Sequence, residues 1–151
     1  MKIGVISDTH GLLRPEVAIH FRGVDHIIHA GDIGNPQVIA GLAAIAPVTA
    51  IRGNVDTGNW ATAYPAETSA TLAGRSFYIL HNRKALDVDP EAQGIDVVIS
   101  GHSHQPGAEI IDDVLFLNPG SAGPQRFKLP VTVAVIEVTP ANIEATHIPL
   151  R

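Results

Sequence analysis

The sequence predicts a mixed α/β fold, and three observations support that prediction. Short apolar runs rich in β-branched residues alternate with helix-like segments over residues 2–52. From residue 67 onward, paired strand-like runs are separated by two-residue turns. The chain has 151 residues, 45% of them hydrophobic and 17% charged, which is typical of one globular domain. We therefore expect residues 1–151 to form a single domain that contains parallel and antiparallel strands.

The first half is predicted to have the order β-α-β-α-β. Apolar runs that end abruptly at Gly, Asn or Asp are expected to be buried strands. Three runs of this kind occur, at residues 2–7, 26–30 and 48–52. Pro15 suits the first turn of a helix that ends near Phe21, and Asn35-Pro36 suits the N-cap and first turn of a helix that ends near Ala44. This order predicts a parallel sheet with right-handed crossovers and functional loops at the carboxyl ends of its strands.

The second half is predicted to contain three hairpins and one further buried strand. The hairpin strands are residues 67–72 with 75–80, 107–111 with 114–117, and 131–138 with 142–149. Their turns are Ala73-Gly74, Asp112-Asp113 and Pro140-Ala141, pairs that suit tight turns. A short helix is expected near residues 89–93, before a buried strand at residues 96–100.

Composition excludes several classes of protein. The chain has no Cys, so a bound metal would have to use imidazole, carboxylate, amide and water ligands. The net charge of −5, with no stripe of Lys and Arg, argues against a long nucleic acid as partner. The apolar run after Lys2 is too short for a signal peptide or a membrane span. We therefore expect a cytoplasmic protein with no membrane partner, and leave open whether it forms a homo-oligomer.

Five apolar runs each end in residue types that bind metal ions. The endings are Asp8-Thr9-His10, Gly31-Asp32, Gly53-Asn54, His81 and Gly101-His102-Ser103-His104. Because strands whose carboxyl ends share one edge bring such side chains together, we expect them to converge. Imidazole, carboxylate and amide groups suit Mn²⁺, Fe²⁺, Ni²⁺ or Zn²⁺. The predicted metal ligands are Asp8, His10, Asp32, Asn54, His81, His102 and His104.

Seven ligands are too many for one ion, so the pattern predicts two divalent ions bridged by Asp32. One ion is assigned Asp8, His10, Asp32 and His104, and the other Asp32, Asn54, His81 and His102. Two divalent ions together with the two carboxylates have a net charge of about +2, and this positive charge attracts a phosphate. A hydroxide that bridges the ions is the predicted nucleophile, with Asp32 and Asn54 as catalytic residues. Asn54 is also expected to position an oxygen of the substrate.

Each motif also has a simpler explanation when it is taken alone. Asp8 with His10 suits a turn and a helix cap, while Gly31-Asp32 and Gly53-Asn54 suit ordinary turns. A lone His at the end of a strand, such as His81, is more often a hydrogen-bonded structural residue. Only the order and spacing of all five motifs favour metal binding.

Several other residues are interpreted less sharply. His29 is expected to be a satisfied core histidine, with support of the metal ligands as the alternative. Asp56 is expected to orient the Asn54 loop by hydrogen bonding.

The irregular stretch at residues 119–130 is equally well explained as a surface connection or as part of a site. It carries Arg126, the arginine we favour for binding phosphate. Arg14, Arg52 and Arg83 are weaker candidates, and His20, His26 and His147 are assigned surface or capping roles.

In this order the motifs resemble those of the calcineurin-like metallophosphoesterase superfamily: D-x-H, G-D, G-N-H-D/E, a lone His and G-H-x-H. The segment Asn118-Pro119-Gly120-Ser121 makes the chain most similar to the small bacterial and archaeal phosphodiesterase branch, which includes the retromer scaffold subunit. The resemblance covers Asp8 to about Arg126. It implies a two-layer mixed β-sandwich flanked by helices, with four layers in the order α/β/β/α. It also implies a binuclear centre usually supplied with Mn²⁺, and hydrolysis of a small phosphodiester substrate.

Two departures from the family pattern affect the expected chemistry. Val55 stands where the superfamily has a His that assists the leaving group, and Val can neither donate nor accept a proton. We therefore expect a preference for diesters with good leaving groups. Asn82 stands where relatives have Gly, and its tolerance of left-handed backbone predicts that the loop geometry survives. The alternative function is a non-catalytic scaffold for protein interaction, and a nuclease would be expected to carry further domains or a basic groove.

Overall fold

Two five-stranded sheets pack face to face in the computed structural model, which describes residues 1–150. The strands are β1 Lys2–Ile6, β2 His26–His29, β3 Val48–Ala50, β4 Glu67–Leu72, β5 Arg75–Leu80, β6 Val97–Ile99, β7 Gly107–Ile111, β8 Val114–Asn118, β9 Thr132–Val138 and β10 Ile143–Pro149. The helices are α1 Pro15–His20 and α2 Pro36–Ala43, and two short 3₁₀ helices are Asn59–Ala63 and Arg83–Ala85. The predicted mixed α/β class is confirmed.

The first sheet has the strand order β10-β9-β1-β2-β3. Strands β1, β2 and β3 are parallel, and the hairpin β9–β10 is added in antiparallel fashion beside β1. The second sheet has the order β4-β5-β6-β8-β7, with β5, β6 and β8 parallel. The carboxyl ends of the parallel strands therefore provide one edge on each sheet where loops can carry a site.

Apolar side chains from both sheets fill the space between them. Ile3, Val5 and Ile28 of the first sheet pack with Phe77 and Ile99 of the second. Both helices cover the outer face of the first sheet, where Val17 of α1 and Leu42 of α2 are fully or nearly fully buried. Asn35 caps α2 as predicted, since its side chain accepts from Val38 N at 3.2 Å.

The outer face of the second sheet is covered by an irregular segment rather than by an α-helix. Leu86, Val88 and Ile95 pack there against Leu80 and Val98. The helix expected near residues 89–93 is wrong: the structure has a single turn, closed by Gln93 N to Asp89 O at 3.1 Å. Asp89 and Pro90 do favour a helix start, but Gly94 takes the left-handed conformation (φ 70°) and ends the turn at once.

Among residues 1–150, no helix is long and apolar enough to cross a membrane.

Candidate metal centre

The loops that follow β1, β2, β5 and β6 meet at one edge of the two sheets. Asp8 N donates to Gly31 O at 3.0 Å, which joins the loops after β1 and β2. Gly101 N donates to His81 O at 2.9 Å, which joins the loops after β6 and β5. His102 N donates to the Asp8 carboxylate at 3.1 Å and so connects the two sheets. The meeting of these loops brings together polar groups from distant parts of the chain.

Six of the seven predicted ligands form two groups of three. Within each group one ligand atom per residue lies within 4.8 Å of the others. The first cluster is Asp8, His10 and His104, and the second cluster is Asp32, His81 and His102. These groups agree with the two sets proposed from the sequence in all but two respects. Asn54 belongs to neither cluster, and Asp32, which was assigned to both ions, belongs to the second cluster.

Asp32 lies between the two clusters. Its Oδ2 is 3.2 Å from Nε2 of His81 in the second cluster and 3.7 Å from Nε2 of His10 in the first cluster. Asp8 is also close to both, since its Oδ1 is 3.5 Å from Nε2 of His104 and 3.8 Å from Nε2 of His81. The carboxylates are thus flanked by imidazoles on both sides, as donors around a pair of cations would be.

Buried polar atoms without a hydrogen-bond partner are concentrated in these clusters. Within residues 1–150 there are five such side-chain atoms, and four belong to predicted ligands. They are Asp8 Oδ1, His10 Nε2, His81 Nε2 and His104 Nδ1. Leaving a buried polar atom unpaired costs about 1–3 kcal/mol, so four at one place need an explanation. Divalent cations satisfy such atoms, and the residues therefore fit a metal centre.

The ligand loops also hold non-glycine residues in left-handed backbone. Positive φ angles occur at Asp8 (56°), His10 (47°), Asp32 (55°), His102 (70°) and His104 (62°). Each such conformation costs on the order of 1–3 kcal/mol and persists where the surroundings enforce it, typically at functional sites. Sequence reasoning did not foresee this feature.

Glycines allow the ligand loops to approach each other closely. A Cβ atom on Gly53 would collide with the Asp32 carboxylate and backbone. A Cβ atom on Gly101 would collide with the Ser7 hydroxyl and lie 2.7 Å from Asp8 Oδ2. The ligand loops therefore approach each other closely at Gly53 and Gly101, and neither position can accept a side chain without moving a predicted ligand.

The backbone orients the ring of His81. Its Nδ1 lies 2.7 Å from Ala30 O, so Nδ1 carries the hydrogen and donates it. Nε2 is then the unprotonated nitrogen of the neutral ring, and it faces the carboxylates of Asp32 and Asp8. A histidine with one nitrogen fixed by a carbonyl and the other free is the usual arrangement of a metal ligand.

The family model of the calcineurin-like phosphoesterase superfamily domain matches residues 1–141. The chain belongs to this superfamily. A protein of Methanothermobacter thermautotrophicus described as "Probable metallophosphoesterase" is 36% identical, with 96% of this chain and 90% of that protein covered. A phosphodiesterase of Methanocaldococcus jannaschii is 33% identical, with 80% of this chain and 83% of that protein covered.

Two solved structures share the fold. An archaeal phosphodiesterase superposes with a TM-score of 0.82 at 26% identity, covering 98% of this chain and 100% of that one. Vps29 of Chaetomium thermophilum superposes with a TM-score of 0.79 at 17% identity, covering 98% of this chain and 95% of that one. Family and relatives indicate a metal-dependent phosphoesterase, and the two clusters are its candidate sites for divalent metal ions.

His29 is a satisfied core histidine that also joins two ligand loops of this metallophosphoesterase. Gly31 N donates to its Nδ1 at 3.1 Å, so Nε2 carries the hydrogen. Nε2 lies 3.0 Å from Thr9 Oγ1, which in turn donates to Ile33 O at 2.8 Å. Burial lowers the pKa of His29 to about 3, which keeps the ring neutral. The favoured interpretation is confirmed, and the bonds to Thr9 and Gly31 add the supporting role.

Asp56 joins the loop after β2 to the loop after β3. Its carboxylate accepts from Ile33 N at 2.9 Å, from Gly34 N at 2.9 Å and from Gly53 N at 2.8 Å. The side chain is buried and belongs to neither ligand cluster. The prediction that Asp56 orients the Asn54 loop by hydrogen bonding is confirmed.

The segment that begins at Asn118 supports two ligand loops. Asn118 Nδ2 donates to Gly101 O at 3.0 Å, and Ser121 Oγ donates to Asp8 O at 3.1 Å. His147 of β10 contacts Asn118 O through Nε2 at 2.7 Å, so it braces this segment rather than serving only as a surface residue. Of the two interpretations of residues 119–130, part of a site is therefore the better one.

The two carboxylates have different electrostatic surroundings. Burial raises the pKa of Asp8 to about 6, although His81 and the Ser7 hydroxyl oppose the rise. Burial acts in the same direction on Asp32, but the adjacent His81 ring and a hydrogen bond from Val55 N outweigh it and hold the pKa of Asp32 below the usual value. Asp32 is therefore the carboxylate that stays ionised most readily.

Arg126 acts electrostatically on the first cluster. Burial, together with the positive charges of Arg126 and of protonated His10, lowers the pKa of His104 to about 4. Burial also lowers the pKa of His10, with Asp32 opposing and Arg126 adding to the effect. The guanidinium of Arg126 is thus near enough to influence both imidazoles, while its side chain is exposed to solvent.

Three residues lie at the open side of the centre. His102 and Asn54 are exposed, unlike the buried Asp8, Asp32, His81 and His104. Val55 is 47% exposed, and its backbone N donates to Asp32 Oδ1 at 3.1 Å. Asn82 has extended backbone (φ −112°), so the Asn that stands here in place of the Gly of relatives is under no left-handed strain.

A cleft of about 550 Å³ opens beside the second cluster, and sequence reasoning missed most of the residues that line it. His102 and Gly101 belong to its wall, as do Arg83, Phe116 and Asn118. Arg83 was recognised only as a weak candidate for phosphate binding. Phe116 gave no signal, because an aromatic residue in a strand is ordinarily explained by packing.

Proposed function

We propose that this protein hydrolyses small phosphodiesters with a binuclear metal centre. The observation that carries the proposal is the pair of ligand clusters, which contain four buried polar atoms without a hydrogen-bond partner and histidines on both sides of Asp32. Structural histidines would be expected to have partners for both ring nitrogens, as His29 does. Similarity to an archaeal phosphodiesterase supports the diester over the monoester.

We assign each ion four protein ligands, with Asp32 shared between them. The first ion is assigned Asp8, His10, Asp32 and His104, and the second Asp32, Asn54, His81 and His102. When bound, the ions supply positive charge that attracts the phosphate and stabilises its oxygens, and they acidify a water that serves as nucleophile. We propose Mn²⁺ as the native metal, with Fe²⁺, Ni²⁺ and Zn²⁺ as ions that the same ligands accept.

The residues of the chain have distinct tasks in this proposal. Asp32 would hold both ions, and its depressed pKa favours the ionised form that this role requires. Asn54 is exposed beside Asp32 and positions a phosphoryl oxygen. Arg126 is assigned to the phosphate on the side of the first cluster, since its charge lowers the pKa of His10 and of His104. Ala30 O holds His81 in the ligand tautomer.

Metal reconstitution with a defined substrate tests the proposal. The purified chain is stripped of metal and given Mn²⁺, Ni²⁺, Zn²⁺ or Mg²⁺ singly, and hydrolysis of bis(p-nitrophenyl) phosphate and p-nitrophenyl phosphate is compared. We expect Mn²⁺-dependent turnover that favours the diester, with a loss of at least about 100-fold in Asp32→Asn, because losing a ligand should exceed the loss of a supporting contact. Metal binding without turnover of any ester would instead favour the non-catalytic scaffold.

A further inference from the structure

The cleft beside the second cluster has the size and place of a binding site for the organic part of the substrate. Its volume of about 550 Å³ lies within the range of small-molecule sites, roughly 300–1,000 Å³. His102 belongs both to the second cluster and to the wall of the cleft. A phosphate held at the metal centre would leave the cleft free, so a group attached to that phosphate can extend into it.

One wall of the cleft carries a flat cationic group that is held in place. The guanidinium carbon of Arg83 lies 4.2 Å from the centroid of the Phe116 ring. Arg83 also makes an ion pair with Glu109 at 2.7 Å, and Glu109 is paired with Phe116 across strands β7 and β8. Stacking and ion pairing together fix the plane of the guanidinium, although 43% of the Arg83 side chain is exposed.

The charge and polarity of the residues that line the cleft favour a ligand with an uncharged ring that can form hydrogen bonds. Glu109 offsets the charge of Arg83, so Lys84 is the one cation of the lining without an opposite charge among the described residues. Amide side chains at Asn82 and Gln105 provide donors and acceptors along the wall. A guanidinium plane supported by an aromatic ring is a surface on which nucleobases stack.

We propose that this cleft binds the nucleoside part of a small nucleoside phosphodiester, with the base stacked against the Arg83–Phe116 pair. The proposal rests on the proposed function, because it places the phosphorus at the metal clusters. Arg83 and Phe116 then determine which diesters bind, whereas the metal ligands determine whether they are cleaved. Phe116 lies in β8, and Arg83 lies in the 3₁₀ helix that begins two residues after His81.

Two diesters that share one leaving group provide the kinetic test. Methyl p-nitrophenyl phosphate and thymidine 5′-(p-nitrophenyl phosphate) are compared on the Mn²⁺-loaded protein. We expect kcat/KM to favour the thymidine ester by about tenfold, the size of one base-stacking interaction. Arg83→Lys keeps the charge and removes the plane, so this preference should fall below about twofold. Arg75→Lys, at a half-buried arginine outside the cleft, serves as the matched control and should keep the preference.

A binding measurement separates failure of this inference from failure of the proposed function. Calorimetric titration of the Mn²⁺-loaded protein with thymidine 5′-phosphate and with methyl phosphate should show the same preference, again lost in Arg83→Lys. Equal affinities and equal rates for thymidine and methyl compounds would overturn the inference, as would an unchanged preference in Arg83→Lys. Thymidine-selective binding that depends on Arg83, without cleavage of either ester, would uphold the cleft and reject the hydrolase.

Discussion

The two ligand clusters differ in how deeply they lie and in what surrounds them. Asp8 and His104 of the first cluster are buried, and the segment that begins at Asn118 supports their loops. The second cluster includes the exposed His102 and opens onto the cleft. Each cluster has two buried residues, and the third is half-buried His10 in the first cluster but exposed His102 in the second, so the second cluster is the more open of the two.

Asp32, with its supporting residue Asp56, connects the two clusters. Asp32 approaches a histidine of each cluster, and Asp56 fixes both the Asp32 loop and the Asn54 loop through three backbone bonds. Changes at Asp56 should therefore affect the second cluster more than the first. Changes at the open side should alter chemistry without altering stability. The predictions below follow this division, from the largest effect to the smallest.

Asp56→Asn should produce the largest loss of stability. The substitution keeps the volume but replaces a carboxylate that accepts three backbone hydrogen bonds in a buried place. Hydrogen bonds to charged groups contribute about 1.5–3 kcal/mol each, so we expect the free energy of unfolding to fall by on the order of 4 kcal/mol. Urea unfolding of the metal-free protein measures it. A fall below about 1 kcal/mol would show that the loops do not depend on Asp56.

The sequence predicted the local features of this molecule better than its long-range ones. The hairpin β4–β5 was predicted at its observed residues because Ala73-Gly74 is a local turn signal. The convergence of six proposed ligands could be predicted because they follow strand ends in an order that the sequence displays. The helix near residues 89–93 failed because a start signal was weighed above the stop at Gly94.

The cleft could not be predicted because three separate elements form it. Arg83, Glu109 and Phe116 lie on a 3₁₀ helix, on β7 and on β8, and their contact depends on the pairing of the second sheet. Left-handed backbone at residues such as His102 is equally invisible, since histidine has no intrinsic need for it. Both features arise from packing of distant segments.

Val55→His should change the chemistry with little effect on stability. Val55 is 47% exposed, so the free energy of unfolding should change by less than about 0.5 kcal/mol. A histidine there can assist the leaving group, and general acid catalysis contributes about 100-fold or more when the leaving group is poor. We expect kcat/KM to rise for alkyl diesters and to change little for aryl diesters. Val55→Gln is the control of similar polarity. Identical dependence on the leaving group in wild type and Val55→His would refute the role assigned to position 55.

His29 should make folding stability depend on pH. Its pKa is lowered to about 3 in the folded protein, whereas the unfolded chain has the ordinary value of 6.5. Below pH 6.5 the unfolded state therefore binds a proton that the folded state does not, and stability falls as the pH falls towards 3. At pH 5 the loss should be about 2 kcal/mol relative to pH 7.

His29→Gln is the variant that isolates this contribution. Unfolding of both proteins is followed in urea at pH 5 and pH 7 with metal removed, so that the titration of the remaining groups cancels in the comparison. The glutamine variant is expected to be less stable at pH 7 but to have the shallower pH dependence. Equal pH dependence in the two proteins would mean that His29 becomes protonated in the folded state.

The most direct test of the account is the number and coupling of bound metal ions. Mn²⁺ content by elemental analysis and the electron paramagnetic resonance spectrum are recorded for wild type and for Asp32→Asn. We predict two Mn²⁺ ions per chain with a spin-coupled spectrum in wild type, and loss of that coupling in Asp32→Asn. One ion per chain, or two ions that show no coupling, would contradict a centre in which Asp32 joins the two clusters.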